Sequence, residues 1–317
     1  MKRFWQTRGP LARLLFPLGR LYQSATDRRV ARGPYERLPV PVISIGNLTV
    51  GGTGKTPVTM ALAERLIAAG HAPHIVSRGY GGSLAGPVTV DPQRHSAAEV
   101  GDEPLMLTGF APVHIGRDRG PAAALAVKAG ADVILLDDAH QNPALAKDLS
   151  IIVIDGATGF GNGYGLPAGP LRETVPAGLK RADLAIIMGA QTAPLPPLDM
   201  PTLHATLEPL STGMDWQNLR AIAFAGIGRP AKFFETLKGL GVTLVATHEF
   251  PDHAPYSDVI LTRLRNEAAQ SGAVLVTTEK DIARMTPEQR QGIWPLMVRC
   301  KFADEGPLTR ELAKLGL

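Results

Sequence analysis

One short segment constrains the fold of this 317-residue chain more than any other: Gly51-Gly52-Thr53-Gly54-Lys55-Thr56. It follows an apolar, β-rich run at Leu38–Ile45 and opens a helical stretch at Pro57–Ala69, which is the context of a P-loop. Glycines let backbone N–H groups turn inward around phosphate oxygens, and the helix N-terminus adds partial positive charge. The usual pattern has glycine where this chain has Thr49, so the match is incomplete. The predicted nucleotide contacts are Thr49, Val50, Gly51, Gly52, Thr53, Gly54, Lys55 and Thr56.

The rest of the chain alternates short apolar strands with helices, a pattern that predicts βαβ units and a mostly parallel sheet. After about Leu219 the alternation restarts, which predicts a second, smaller α/β domain. We therefore expect an α/β fold of the P-loop NTPase type, preceded by an amphipathic helix. The predicted divisions are an arm at 1–37, a P-loop domain at 38–215 and a smaller domain at 216–317 that closes an active-site cleft.

A pair of acidic residues follows one predicted strand, Val133–Leu136. Asp137 and Asp138 come directly after this apolar run, as the acid of a Walker B motif does. Because ligands of open α/β sheets bind at the carboxyl ends of the strands, these carboxylates are expected beside the P-loop, where they can hold Mg²⁺. A strand-end turn with solvated carboxylates is the simpler interpretation, and the upstream P-loop makes it the weaker one.

The positive charge of the chain is concentrated at its N-terminus. Residues 1–37 hold nine basic and two acidic side chains, a net charge of +7, which leaves −3 for the other 280 residues. This distribution argues against a nucleic-acid groove through the protein. The single cysteine, Cys300, excludes an intrachain disulfide and a cysteine-based zinc site.

The basic arm is also amphipathic, because its apolar residues recur at steps of three and four. They are Leu11, Leu14, Leu15, Leu18, Leu21 and Tyr22. The apolar stretch is too short to span a bilayer, which needs about 20 residues. Two interpretations stay open: a helix lying on an anionic membrane surface, or a helix packed on the core of the protein with solvated arginines.

Other classes of P-loop protein fit less well. A guanine-binding Asn-Lys-x-Asp motif does not occur, and Glu279-Lys280-Asp281 has the wrong order. ATPases of the partitioning type have lysine before the paired glycines, where this chain has Val50.

A series of motifs, in order along the chain, resembles the tetraacyldisaccharide 4'-kinase family. These motifs are Gly46-Asn47-Leu48-Thr49-Val50-Gly51-Gly52-Thr53-Gly54-Lys55-Thr56-Pro57, Ser77-Arg78-Gly79-Tyr80-Gly81-Gly82, Gly101-Asp102-Glu103-Pro104, Asp118-Arg119, Asp137-Asp138 with Gln141, Leu166-Pro167-Ala168-Gly169-Pro170-Leu171-Arg172-Glu173, Asp252-His253 and Thr277-Thr278-Glu279-Lys280-Asp281. The resemblance extends from the arm to about residue 285.

The resemblance implies ATP-dependent phosphorylation of the 4'-hydroxyl of a lipid disaccharide 1-phosphate. ATP and Mg²⁺ are then the expected cofactors. It implies that Asp102 is the general base, oriented by His253, and that Lys55 holds the phosphates. The implied metal residues are Thr56, Asp137, Asp138 and Glu173, and the implied substrate contacts are Arg78, Tyr80, Arg119 and Arg172.

A lipid acceptor also implies work at a membrane, through the N-terminal helix. The expected location is the cytoplasmic face of the inner membrane of a Gram-negative bacterium, with peripheral or monotopic attachment. Neither nucleic acid nor an obligate protein partner is implied. The alternatives are another P-loop small-molecule kinase, which would not need the arm, and a membrane-docked ATPase that acts as a switch.

One segment departs from the family pattern. The family often has Asp-Asp-Gly-Phe-Gln-His after the Walker B strand, and this chain has Asp137-Asp138-Ala139-His140-Gln141-Asn142. The carboxylates and the glutamine are retained, so no expected metal ligand is lost. The changes at Ala139, His140 and Asn142 are expected to alter the contact of this loop with nucleotide or lipid.

Overall fold

The computed structural model describes residues 3–317. After a 3-10 turn at Arg3–Trp5, the helices are α1 (Pro10–Arg32), α2 (Lys55–Ala68), α3 (Ala97–Val100), α4 (Asp102–Leu107), α5 (Arg119–Lys128), α6 (Val175–Leu179), α7 (Pro230–Gly239), α8 (Asp258–Ser271), α9 (Glu279–Ala283), α10 (Pro287–Arg290) and α11 (Gly306–Ala313). The strands are β1 (Val42–Gly46), β2 (Pro73–Ser77), β3 (Val88–Thr89), β4 (Val113–Ile115), β5 (Val133–Asp137), β6 (Leu149–Asp155), β7 (Leu184–Met188), β8 (Thr202–Pro209), β9 (Arg220–Ala225), β10 (Thr243–Glu249), β11 (Val274–Thr278), β12 (Ile293–Leu296) and β13 (Val298–Phe302).

Within the described residues, the larger sheet has nine strands in the order β13-β8-β7-β6-β1-β5-β2-β4-β3. The strands from β8 to β4 pair in parallel, and only the edge strands β13 and β3 are antiparallel. Strands β1, β5, β6 and β7 are buried along their whole length, as apolar strands covered on both faces are. The expected mostly parallel α/β fold is confirmed, and β1 leads into the P-loop at the centre of the sheet.

The smaller sheet has four parallel strands in the order β10-β9-β11-β12. Helix α7 packs on one face, through residues such as Phe233 and Leu237, and α8 packs on the other, through Leu261 and Leu264. The second α/β unit that the sequence predicted is therefore present as a separately covered sheet.

The C-terminal boundary differs from the predicted division at 216–317. Strand β13 pairs antiparallel with β8 of the larger sheet, and Leu308 and Leu312 of α11 join the core of that sheet. Only Met297 separates β12 from β13, so the chain crosses between the two units without a glycine- or proline-rich linker. Because a linker is the signal that marks such a crossing in a sequence, the prediction placed the last strand and helix in the wrong unit.

Helix α1 packs on the larger unit through a face of small and polar side chains. Its buried residues are Ala12, Gly19, Gln23, Thr26 and Val30. A Cβ atom at Gly19 would lie 2.7 Å from the carbonyl oxygen of Gly165, so only glycine permits this close approach. The apolar face that the sequence singled out is turned to solvent instead, with Leu14 76% and Leu21 69% exposed. Lys2, one of the nine basic residues of the arm, lies outside the described residues.

Among residues 3–317, no helix is both long enough and apolar enough to cross a membrane.

Candidate active site

The P-loop connects β1 to α2 and is anchored on both sides. Asn47 Nδ2 donates to Thr53 Oγ1 at 3.0 Å, and the Val50 amide donates to the Pro170 carbonyl at 2.8 Å. Gly54 caps α2 with φ of 96°, a left-handed conformation that side chains other than glycine rarely adopt. The loop is thereby held open with the N-terminus of α2 behind it, which is the arrangement that binds phosphate.

The two acidic residues at the end of β5 lie in different environments. Asp137 is buried, with Thr59 Oγ1 at 3.4 Å, and burial, with the nearby charges of Glu103 and Asp138, raises its pKa to about 7. Asp138 Oδ1 lies 3.7 Å from Lys55 Nζ. Burial alone would raise the pKa of Asp138, but its cationic neighbours hold that pKa below the usual value. The two carboxylates therefore differ: nearby cations lower the pKa of Asp138, whereas burial dominates at Asp137 and raises its pKa.

Arg172 binds Asp138 with two nitrogens. Its Nη1 and Nη2 donate to the carboxylate oxygens at 2.8–3.0 Å, in the forked geometry that guanidinium groups form with carboxylates. Asp138 has a positive φ of 48°, which aims its side chain at both Arg172 and Lys55. The predicted phosphate-site residues are thus brought together around one carboxylate.

Arg119 binds the backbone at the end of β5. It is only 5% exposed, and its Nη2 donates to the backbone carbonyls of Asp137 and Asp138 at 3.1 and 2.9 Å. Its guanidinium therefore supports the turn after β5. Arg119 also lines the cleft, so a contact with the substrate stays a prediction beside this supporting role.

Glu173 also differs from its expected position. It is fully buried, and its two oxygens accept from Gln141 Nε2 at 2.8 Å and from Arg181 Nη2 at 2.6 Å. The same Gln141 amide donates to the Asn47 carbonyl at the start of the P-loop, at 2.7 Å. In this arrangement Glu173 holds the glutamine that supports the loop, and it would have to give up a partner to reach a metal.

His140, one of the departures from the family pattern, is buried beneath β1. Its Nε2 lies 2.9 Å from the Gly178 carbonyl, and its Cβ would lie 2.5 Å from a side chain built at Gly46. Burial lowers the pKa of His140 to about 3, so the ring is neutral at physiological pH. The departure therefore changes packing behind the loop and adds no charged group to the cleft.

Asp102 and His253 meet across the two units. Asp102 opens α4 of the larger unit, and His253 Nδ1 lies 2.9 Å from its Oδ2. Arg284 Nε donates to the same oxygen at 2.9 Å, and Lys280 Nζ lies 3.3 Å from His253 Nε2. The Tyr80 ring stands edge-on to the imidazole, with centroids 6.0 Å apart.

The charges around Asp102 and His253 shift the pKa values of the two residues in opposite directions. Burial alone would raise the pKa of Asp102, but the His253 hydrogen bond, with Lys280 and Arg284, holds that pKa well below its usual value. The same hydrogen bond raises the pKa of His253 above 6.5. Asp102 is thus a stable carboxylate, and the raised pKa makes His253 the member of the pair that accepts a proton more readily.

A cleft of about 960 Å³ joins these groups. Its walls include the P-loop, Asp137, Asp138, Arg78, Tyr80, Arg172, His253, Lys280, Arg229 and three residues of α1: Tyr22, Thr26 and Arg29. Asp102 is 5% exposed and lies behind His253, which forms the wall at that point. The imidazole is therefore the part of the pair that faces a bound substrate.

Three contributors were missed by sequence reasoning. Lys280 lies within the Thr277–Asp281 motif and Arg284 follows it, and the sequence indicated a role for neither. Asp155 ends the buried strand β6 and accepts from Arg229 of the second unit at 2.7 Å. The rule that found Asp137, an acid at the end of an apolar strand, would also have found Asp155.

The donors near the P-loop fit Mg²⁺. Thr56, in the first turn of α2, lines the cleft together with Asp137 and Asp138. In residues 3–317 no group of three or more His, Cys, Asp or Glu forms a complete metal site. Mg²⁺ is usually held by one or two carboxylates with substrate phosphates and water, so an incomplete oxygen set that includes the buried Asp137 suits it.

Comparisons with known proteins agree over nearly the whole chain. The sequence model of the family described as tetraacyldisaccharide-1-P 4'-kinase (LpxK) matches residues 11–316. The tetraacyldisaccharide 4'-kinase of Dinoroseobacter shibae is 54% identical over 96% of this chain and 93% of its own length. The enzymes of that name from Jannaschia sp. and Rhodospirillum rubrum are each 48% identical, over 98% and 94% of this chain and 98% and 92% of their own lengths.

A solved structure shares the fold. The crystal structure of the "apo" form of LpxK from Aquifex aeolicus in complex with ATP superposes with a TM-score of 0.80 at 28% identity. The match covers 96% of this chain and 99% of the Aquifex chain.

Proposed function

The chain belongs to the tetraacyldisaccharide 4'-kinase family, and from this premise we propose how its cleft carries out the reaction. It is an ATP-dependent kinase of lipid A biosynthesis that phosphorylates the 4'-hydroxyl of a tetraacyldisaccharide 1-phosphate. One observation supports the proposed site most strongly: the P-loop and the Asp102–His253 pair line or border the same cleft from different units. The alternatives were a soluble small-molecule kinase and a membrane-docked switch. The family match favours the lipid kinase over both.

On the nucleotide side, we propose that the P-loop amides and Lys55 hold the phosphates of ATP. Thr56, Asp137 and Asp138 would hold Mg²⁺, and Arg172 would contact phosphate while it fixes Asp138. When bound, Mg²⁺ would neutralise charge on the β- and γ-phosphates. Glu173 is proposed to act behind this set, through Gln141, because both of its oxygens are already hydrogen-bonded.

On the acceptor side, we propose that His253 takes the proton and that Asp102 orients the ring. This reverses the roles expected from the resemblance. It is supported by the exposure of His253 to the cleft, the burial of Asp102 and the opposite directions of their pKa shifts. The bond between the 4'-oxygen and the γ-phosphorus forms, the bond from that phosphorus to the bridging oxygen of ADP breaks, and the hydroxyl proton moves to His253 Nε2. Arg78 and Tyr80, both exposed at this wall, are the proposed acceptor contacts.

The direct test is transfer of ³²P from γ-labelled ATP to tetraacyldisaccharide 1-phosphate in mixed micelles, with and without Mg²⁺. We expect Mg²⁺-dependent labelling of the lipid. ATP binding without any labelling of the lipid would contradict the proposed acceptor.

We further propose that α1 holds the enzyme on the cytoplasmic face of the inner membrane, as a peripheral protein. The helix turns Leu11, Leu14, Leu18 and Leu21 to solvent along one face. Tyr22, Thr26 and Arg29 of the same helix line the cleft. A lipid that lies in the membrane under the leucine face would therefore reach the cleft along the helix.

This attachment can be measured by co-sedimentation with anionic phospholipid vesicles. Replacing Leu14, Leu18 and Leu21 together with glutamine removes apolar surface that insertion would bury, so we expect about tenfold weaker vesicle binding. A matched control replaces three other exposed apolar residues, Leu210, Val245 and Val259, with glutamine and should bind as the wild type does. Equal loss in both variants would contradict a specific role of α1.

A further inference from the structure

Hydrogen bonds hold one cation, Lys280, at the cleft wall. This lysine belongs to the motif Thr277-Thr278-Glu279-Lys280-Asp281. Thr277 Oγ1 donates to the Phe224 carbonyl at 2.7 Å, which ties β11 to β9. Asp281 is buried and accepts from the Gly226 amide at 3.0 Å and from the Tyr256 hydroxyl at 2.8 Å. The motif thereby fixes the start of α9, where Lys280 extends into the cleft.

The Lys280 ammonium bridges the two units. Its Nζ lies 3.1 Å from Glu103 Oε1 on α4 and 3.8 Å from Asp252 Oδ1. It also lies 3.3 Å from His253 Nε2, the nitrogen that faces away from Asp102. With its side chain 20% exposed, Lys280 is held at the cleft wall by partners from both units.

The Lys280 ammonium lies beside His253 Nε2, where the acceptor hydroxyl must also bind. A hydroxyl that gives its proton to His253 has to come within about 2.6–3.2 Å of Nε2. The same oxygen has to lie about 3–3.5 Å from the phosphorus that it attacks. A hydroxyl that replaces the ammonium at Nε2 therefore leaves Lys280, still held by Glu103, next to the oxygens of the group in transfer.

Two cations, Lys280 and Arg284, lie near the imidazole, and only Lys280 lines the cleft. Around the ring are Asp102 and Glu103 from α4, Asp252 from its own loop, Tyr80, Lys280 from α9 and Arg284, which directly follows α9. Arg284 is 5% exposed and is already bound to Asp102 and to the Gly226 carbonyl. The Lys280 side chain is 20% exposed and lines the cleft, so of these two cations it is the one that can reach a phosphoryl group.

We propose that Lys280 is a further catalytic residue, whose ammonium binds the γ-phosphoryl group from the acceptor side, opposite Lys55, as that group moves between oxygens. The inference rests on the proposed function. A cation placed in advance where negative charge is transferred lowers the barrier most effectively inside a cleft that excludes water.

The test is Lys280→Met, assayed by transfer of ³²P to the lipid acceptor. We expect kcat to fall by about 10- to 100-fold, with little change in the dissociation constant for ATP and in the melting temperature. Lys280→Arg should recover part of the loss, because it restores a cation at the same place. The acid limb of the pH–rate profile should move to higher pH in Lys280→Met, since the ammonium normally opposes protonation of His253.

Lys301→Met is the matched control, because Lys301 forms an exposed ion pair with Glu208 on the edge of the larger sheet. It should retain wild-type turnover. Wild-type turnover in Lys280→Met would overturn the proposal. So would a loss of turnover that is accompanied by equal losses of ATP binding and thermal stability. Either result would leave the proposed function intact. A wild-type chain that binds ATP but does not label the lipid would instead overturn the proposed function, and this inference with it.

Discussion

His253→Asn is expected to lower kcat by about 10²- to 10⁴-fold, the range attributed to a positioned acid–base group, while ATP affinity stays close to that of the wild type. Asparagine suits the left-handed backbone of this residue, whose φ is 62°. Its side-chain amide can still donate to Asp102 from near the place of Nδ1. The substitution therefore removes Nε2 and retains the hydrogen bond that holds the loop to α4.

The pH dependence of turnover decides which member of the pair takes the proton. If His253 is the base, turnover falls as the pH drops through a histidine pKa raised above 6.5. If Asp102 were the base, its lowered pKa would leave turnover flat from pH 5 to 9, and that profile would contradict our assignment. Asp102→Asn should also lower turnover strongly, because an asparagine partner favours the wrong tautomer of the ring. Its residual activity should show an acid limb at lower pH than that of the wild type.

Local patterns were sufficient to predict the centre of the site. Lys55 and Thr56 could be placed because glycines, an apolar strand and a helix occur in one short stretch of sequence. Asp137 and Asp138 could be placed because a parallel strand brings its carboxyl end to the same edge as the P-loop. These predictions depend on neighbours within a few residues and on one rule about sheets.

Roles that depend on distant partners could not be predicted. Arg119 supports the turn after β5 because that turn presents two carbonyls to it, which the sequence around residue 119 does not indicate. Glu173 is occupied by Gln141 and Arg181 for the same kind of reason. The order of Asp102 and His253 relative to the cleft depends on how the second unit sits on α4. Motif matching supplies the pair of residues, and only the packing shows which of them faces the substrate.

The second large effect is expected at the P-loop lysine. Lys55→Met removes the ammonium that lies 3.7 Å from Asp138 and that would bind the phosphates of ATP. Because a single preorganised electrostatic contact contributes about 10²- to 10³-fold to kcat, we expect transfer to the lipid to fall by at least that factor. Unlike His253→Asn, this variant should also bind ATP more weakly, since Lys55 acts on the nucleotide before any proton moves. Isothermal titration with ATP and Mg²⁺, beside the ³²P assay, separates the two effects.

The fold should tolerate this change, because Arg172 still neutralises Asp138 through its forked hydrogen bonds. Arg172→Met in the same chain is therefore the informative companion. Loss of either cation alone leaves Asp138 one ion-pair partner, whereas loss of both leaves a half-buried carboxylate without an ion-pair partner. We expect the melting temperature of each single variant to lie within a few degrees of the wild type. The double variant should lose much more in melting temperature than the two single variants lose together. Additive shifts, or wild-type transfer in Lys55→Met, would mean that Lys55 and Arg172 do not act on a shared carboxylate at the phosphate site.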